Sequence, residues 1–219
     1  MEVTGDSLKH LGDGAHQSHL HQVVLVTRGT AMRKGIIYGV GINDERTTNG
    51  CPFYNRWKGV IRRCFAPGKN EAARYAGCSV DPEWLRFSAF KRWMQDKPWE
   101  GNHLDKDILR PQEKRYSPDT CVFVPIWINT LLNDCAASSG ALPTGVYLFR
   151  NRYIARTHDG HGKRLFVGSF ACPHEAHRAW ANAKAGVIRQ AVDQYRTTDR
   201  FDERVCSALL DRADQLAAT

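Results

Sequence analysis

The 219 residues predict an α+β protein whose C-terminal part is a three-stranded antiparallel sheet packed on a helix. Three observations carry that reading. Short runs with apolar residues at every second position, closed by glycine or Asn/Asp, mark strands. Stretches with large apolar residues three and four apart mark helices. Six tryptophans, in a chain that is 42% hydrophobic and 25% charged, supply cores of the ordinary globular kind.

Residues 1–22, ending HLGDGAHQSHLH, are rich in His and Gly and predict a mobile tail, with His10, His16, His19 and His21 solvated. From Val23, VVLVTR and GIIYGVGIND read as short strands with a turn suggested by the glycines and by Asn43-Asp44. In YNRWKGVIRRC, Trp57, Val60, Ile61 and Cys64 recur at helical spacing, and Arg56, Lys58, Arg62 and Arg63 form a basic outer face, which is as compatible with solvation as with phosphate contact. GCSVDPEWLRFSAFKRWMQD gives a short strand, a turn at Asp81-Pro82 and a helix burying Trp84, Phe87, Phe90 and Trp93. AASSGALPT at 136–144 is small and turn-forming, and marks a linker between a module at 23–135 and a second at 145–195. There GVYLFRNRYIARTHDGHGKRLFVGSF predicts three strands, with turns at Asn151 and at HDGHG, and Pro173 and Glu175 open a helix. A C-terminal helix lies within 196–219, where Val205, Leu209, Leu210 and Leu216 pack on the protein itself, with a homodimer as the alternative to a monomer.

The net charge of +8 is unevenly placed: fourteen basic against ten acidic side chains over 51–135, and eight against two over 143–190. Those two parts point to a polyanion, and duplex DNA fits better than a membrane surface because no basic amphipathic helix accompanies the charge. No apolar run reaches the ~20 residues of a membrane span, and the first thirty residues lack a signal-peptide pattern, so a cytoplasmic protein is expected. Seven cysteines with no CxxC pair suit a reducing compartment and read mostly as small buried apolar residues, against a zinc site drawn from Cys51, Cys64, Cys78 or Cys121.

Strand alternation assigns faces to the C-terminal sheet. Val146, Leu148, Tyr153, Ala155, Thr157, Leu165 and Val167 should face the helix; Tyr147, Phe149, Arg152, Ile154, Arg156, Arg164 and Phe166 should face outward. The outer face is aromatic and arginine-rich, and a three-stranded ribbon has a width that the DNA major groove accepts. The pattern GV…RYIAR…GKRLFVGSF…PHEAHRAW over about 145–190 resembles the plant ethylene-response-factor DNA-binding domain, whose relatives occur in phage and mobile-element proteins. That resemblance implies DNA contact by Arg152, Arg156 and Arg164, with Arg150 and Lys163 beside them. Tyr147 and Phe149 stand where plant members tend to carry arginine, so they and Phe166 are expected to stack on sugars rather than read bases.

YNRWKGVIRRC, EWLRFSAFKRW and LDKDILRPQEKRYSPDTCVFVPIWIN together resemble phage and prophage proteins related to HNH homing endonucleases, over about Tyr38 to Asn129. The resemblance implies an HNH-like ββα module holding one divalent metal, Mg or Mn, against a scissile phosphate. It puts Asp105 and Asn129 at the metal, Lys106 at the general base and Thr120 near the usual loop asparagine. A lysine with an ordinary pKa of about 10.4 is protonated near neutrality and cannot accept a proton. It can hold a phosphate, and His103, on the same strand face as Asp105, is the candidate replacement base. Three readings stay open: a fold that binds DNA without cutting and needs no cofactor, metal-dependent nicking or cleavage through His103, Asp105 and Asn129, and recognition of a host protein with DNA binding secondary. If phage-encoded, the chain would act in the host cytoplasm.

Overall fold

The computed structural model describes residues 35–47, 50–133 and 142–219, a mixed α+β arrangement of helices and small sheets. The expected tail at 1–22, the run VVLVTR and most of the 136–144 segment lie outside the described residues.

Strands β1 (Ile36–Ile37) and β2 (Gly41–Ile42) form a hairpin. Its turn falls at Tyr38 and Gly39, at φ 51° and 81°, not at Asn43-Asp44. Helix α1 (Pro52–Phe65) buries Trp57, Val60 and Ile61, and a short helix α2 (Ala72–Tyr75) follows. After β3 (Ser79–Val80), the Asp81 carboxylate accepts from the Glu83 N–H at 3.0 Å and starts a 3-10 turn at Pro82–Leu85, which carries Trp84. Helix α3 (Phe87–Gln95) has no capping side chain of its own; Asp44 supplies one, accepting from the Ser88 N–H at 2.9 Å and the Ser88 hydroxyl at 2.7 Å. Trp57, Trp84, Phe87, Phe90 and Met94 make an aromatic core, where the Trp57 indole N–H is satisfied by the Trp84 carbonyl at 2.7 Å. Each such side chain contributes roughly 1.5–3 kcal/mol on burial. Trp93, expected in the core, is half-buried at its edge.

Strand β4 (His103–Asp105) pairs antiparallel with β6 (Val122–Val124), and the chain then turns through Pro125 into α4 (Ile126–Leu131). Strand β5 (Arg115–Tyr116), between them in sequence, pairs instead with β3, in parallel, and the Arg115–Asp81 ion pair at 2.6 Å pins the join. All of β6 is buried because alternate residues enter different cores: Phe123 the aromatic one, Val122 and Val124 a second.

Strands β7 (Val146–Phe149), β8 (Arg152–His158) and β9 (Arg164–Phe170) form one antiparallel sheet in that order. The first turn is Arg150-Asn151, both at positive φ, as a two-residue hairpin requires. A bulge after Ala155 leaves Val167 without a partner, with Ala155 opposite Gly168 and Arg156 opposite Phe166. Both faces follow the expected alternation, but two residues differ from it in exposure. Leu148 is exposed, because β7 is an edge strand and α5 (Pro173–Arg196) covers it only at its Val146 end, through Ala176 and Trp180. Ile154 is on the outer face but buried, in the central strand between Tyr147 and Ser169.

Helix α6 (Glu203–Ala217) packs on α5 through Val205, Cys206, Leu209 and Ala213. The second core joins these to Ala185, Ile188, Val192 and Tyr195 of α5 and to Ile108, Val124, Ile128 and Leu131. The segments on the two sides of residues 134–141 therefore share one core. The β8–β9 loop adds polar contacts to the same join: the Thr130 hydroxyl donates to the Gly160 carbonyl at 3.0 Å, and the His161 ring stacks on Trp127 at 4.9 Å. Lys184 is fully buried on α5 and donates to the His158 carbonyl at 3.4 Å. Among the described residues six cysteines are free thiols, of which Cys121 and Cys206 are buried and the other four half-buried.

Candidate functional site

A cleft of about 990 Å³ opens between α1, α2, the β4 segment, α4 and α6. His103, Asp105, Lys106 and Asn129 all line it, so the residues expected at a nuclease centre are brought to one place. Each is positioned by its element: His103 and Asp105 by the β4–β6 pairing, Asn129 by the second turn of α4, and Lys106 by the bend that ends β4.

Asp105 has a defined local task. Its Oδ1 accepts from the backbone N–H of Asp107 at 2.7 Å and of Ile108 at 2.8 Å, closing the turn that follows β4. Burial raises its carboxyl above the ordinary aspartate range, and the neighbouring Asp107 charge adds to that; the two backbone donors and Lys106 oppose it without winning. Lys106 is only 6% exposed, pairs with the exposed carboxylate of Asp107, and lies 5.7 Å from the centre of the Tyr116 ring. Thr120, also buried, holds the preceding loop: its hydroxyl donates to the Arg115 carbonyl at 2.6 Å and accepts from the Ser117 N–H at 3.1 Å.

Cationic groups that were not assigned to this site line it as well. Arg56, Arg63, Arg74 and Arg212 join Lys106, against Asp105, Asp107 and Asp211. Arg56 and Arg63 were visible in the sequence as part of a basic helix face; Arg62 on that face is instead spent on Glu71, at 2.5 Å. Arg74 and Arg212 carried no sequence signal, because only folding brings α2 and α6 to the cleft. Arg63 and Arg74 each lie 5.9 Å from the centre of the Tyr75 ring.

The divalent metal implied at Asp105 and Asn129 does not fit this donor set. Mg or Mn needs carboxylate oxygens free to coordinate. Here one oxygen of Asp105 is committed to two backbone donors, its partner ligand Asn129 is a neutral amide, and an ammonium and four arginines share the cleft. Among the described residues, no group of three or more His, Cys, Asp or Glu side chains could hold an ion. The arrangement can bind an anion, and no chemical step through a metal is derived from it.

The second surface is the outer face of the β7–β8–β9 sheet. Arg150, Arg152, Arg156, Lys163 and Arg164 are exposed, and none has a carboxylate partner among the described residues. Phe149 is 54% and Phe166 64% exposed. Arg156 stacks on Tyr147 at 4.9 Å and Arg150 on Phe149 at 5.2 Å, while Arg152 reaches across to β9 and donates to the Ser169 carbonyl at 2.9 Å. No helix among the described residues is long and apolar enough to cross a membrane. No protein-family model matches the chain, and the comparisons with curated proteins and with solved structures return no match.

Proposed function

We propose that the protein binds duplex DNA through the outer face of its three-stranded sheet, with the HNH-like region serving to hold nucleic acid rather than to cut it. One observation carries the reading: Arg152, Arg156 and Arg164 share the exposed sheet face with large aromatic rings, Arg150 and Lys163 flank it in the adjoining turns, and no carboxylate among the described residues neutralises them. Unpaired arginines beside exposed rings repel one another and waste apolar surface unless a polyanion with flat sugar and base faces covers them. The ion pairs formed by Arg62, Arg115 and Arg196 elsewhere in the chain make the contrast.

Charge reversal tests it. Replacing Arg152, Arg156 and Arg164 with Glu should abolish binding of a labelled duplex in fluorescence anisotropy; unchanged affinity would remove the sheet as the binding face. In the wild type, log K should fall against log salt with a slope of about −3, since each neutralised phosphate contributes about −0.9. A slope near zero would instead support recognition of a host protein.

Nicking stands as the second reading because His103, Asp105 and Asn129 do line one cleft. Incubating supercoiled DNA with Mg or Mn, alongside His103→Ala and Asp105→Ala, decides it: cleavage by the wild type that both variants lose would establish an enzyme.

A further inference from the structure

We propose that the cleft is a metal-independent phosphate-binding site in which Arg63, Arg74 and Lys106 take up the charge of a phosphate group directly. It is separate from the sheet face and does not depend on it.

Three elements converge there. Arg63 lies in the last turn of α1, Arg74 on α2, and Lys106 directly after β4. Two tyrosines sit between them: Tyr75, approached by both arginines at 5.9 Å, and Tyr116, approached by Lys106 at 5.7 Å. The Tyr116 phenol is held up by burial, so it stays neutral and adds no anionic partner. Among the described residues neither Arg63 nor Arg74 has a carboxylate within ion-pair distance, and Lys106 has only Asp107, whose carboxylate is mostly in solvent. Of the two other cleft aspartates, Asp105 spends one oxygen on backbone donors and Asp211 is exposed on α6.

Like charges gathered around a concave surface cost free energy that a bound anion recovers. A phosphate accepts hydrogen bonds from a guanidinium fork at two oxygens and from an ammonium at a third, which is the donor set present. The same charges work against a divalent cation. Lysine at the position where the HNH pattern carries its base thus supplies a fixed positive charge near the phosphate in place of a metal ion. The phosphate can belong to a nucleic-acid backbone or to free phosphate, and the two arms below separate them.

In EDTA, the ³¹P line of inorganic phosphate should broaden on adding wild-type protein. The broadening should fall at least threefold in Arg63→Met/Arg74→Met and in Lys106→Met, survive in Lys106→Arg, and survive in the sheet variant Arg152→Glu/Arg156→Glu. Arg74 is exposed and Arg63 half-buried, both less buried than Lys106, so that variant keeps the test valid if Lys106→Met fails to fold. In the second arm, labelled-duplex affinity in EDTA should drop about tenfold in Arg63→Met/Arg74→Met, with the salt slope shallower by about 0.9 per lost contact. A duplex response assigns the phosphate to nucleic acid; an inorganic-phosphate response without it assigns a free or small phosphorylated ligand. Equal broadening in wild type and variants, no broadening at all, or broadening that appears only when EDTA is replaced by magnesium would overturn the proposal.

Discussion

Asp105 is where a structural and a catalytic role predict different outcomes for two small substitutions. Asp105→Ala removes the acceptor of two backbone N–H groups, one of them on the buried Ile108. A hydrogen bond to a charged acceptor is worth about 1.5–3 kcal/mol, and an orphaned donor with access to water costs less, so the expected loss is about 2–4 kcal/mol. Asp105→Asn keeps an oxygen in the same place and removes a charge that burial disfavours, so it should cost less than ~1 kcal/mol or stabilise. The pH dependence follows from the sign of the shift. A carboxyl raised in the folded state binds a proton there before it does in the unfolded chain, so stability falls as pH rises from the ordinary aspartate value through the raised one. Urea unfolding from pH 4 to 8 should show that decline in the wild type and lack it in Asp105→Asn. If Asp105→Asn unfolds as easily as Asp105→Ala, or steepens the pH dependence, the turn-closing account of Asp105 is refuted.

Asp44 should behave oppositely. Hydrogen bonds from Ser88 and the charge of Arg86 hold its carboxyl below the ordinary range despite partial burial, so its contribution is present above that range and is lost as pH falls through the lowered value. Asp44→Ala should cost about 1 kcal/mol at pH 7 by leaving α3 uncapped, measurable by thermal unfolding, and the cost should vanish in strong acid. Gly160→Ala should cost about 2–4 kcal/mol, because a Cβ there would lie 2.5 Å from the Trp127 carbonyl oxygen at a backbone φ of +83°. A change below ~0.5 kcal/mol in denaturant unfolding would show that the β8–β9 loop does not bear on α4.

What the sequence revealed was whatever depends on neighbours along the chain. The α1 face, the turn at Asn151 and the outward arginines follow from a period of 3.6 or 2 and from turn chemistry. Leu148 and Ile154 keep the faces that alternation gives them but not the expected exposure, because exposure depends on where α5 stops and on what flanks the central strand, neither of which is local. The parallel pairing of two-residue β3 with two-residue β5 had no sequence signal, since so few residues carry no period. At the cleft, Asp105, Lys106 and Asn129 were singled out by the resemblance to HNH proteins, whereas Arg74 and Arg212 required knowing that α2 and α6 face β4. In the sequence Lys106 stood out as a charge at a position expected to accept a proton, able to hold a phosphate instead; its burial and its pairing with Asp107 required the fold.

The shared core bears on how the two surfaces relate. Ile128 and Leu131 of α4, which also carries Asn129 into the cleft, pack with Ile188 and Val192 of α5, the helix under the sheet. The β8–β9 loop, which ends in the exposed Lys163 and Arg164, rests on the same α4 through Thr130 and Trp127. Displacing the sheet relative to the cleft would therefore open apolar packing and break polar contacts together. A flexible link between two binding surfaces leaves the second contact to be won at an effective concentration set by linker length, whereas a packed join fixes its geometry before binding. If the two surfaces bind as proposed, the junction would favour polyanions whose phosphates match a set spacing. Selectivity for nucleic-acid shape would then reside in the core between α4 and α5 as well as in the arginines on either surface.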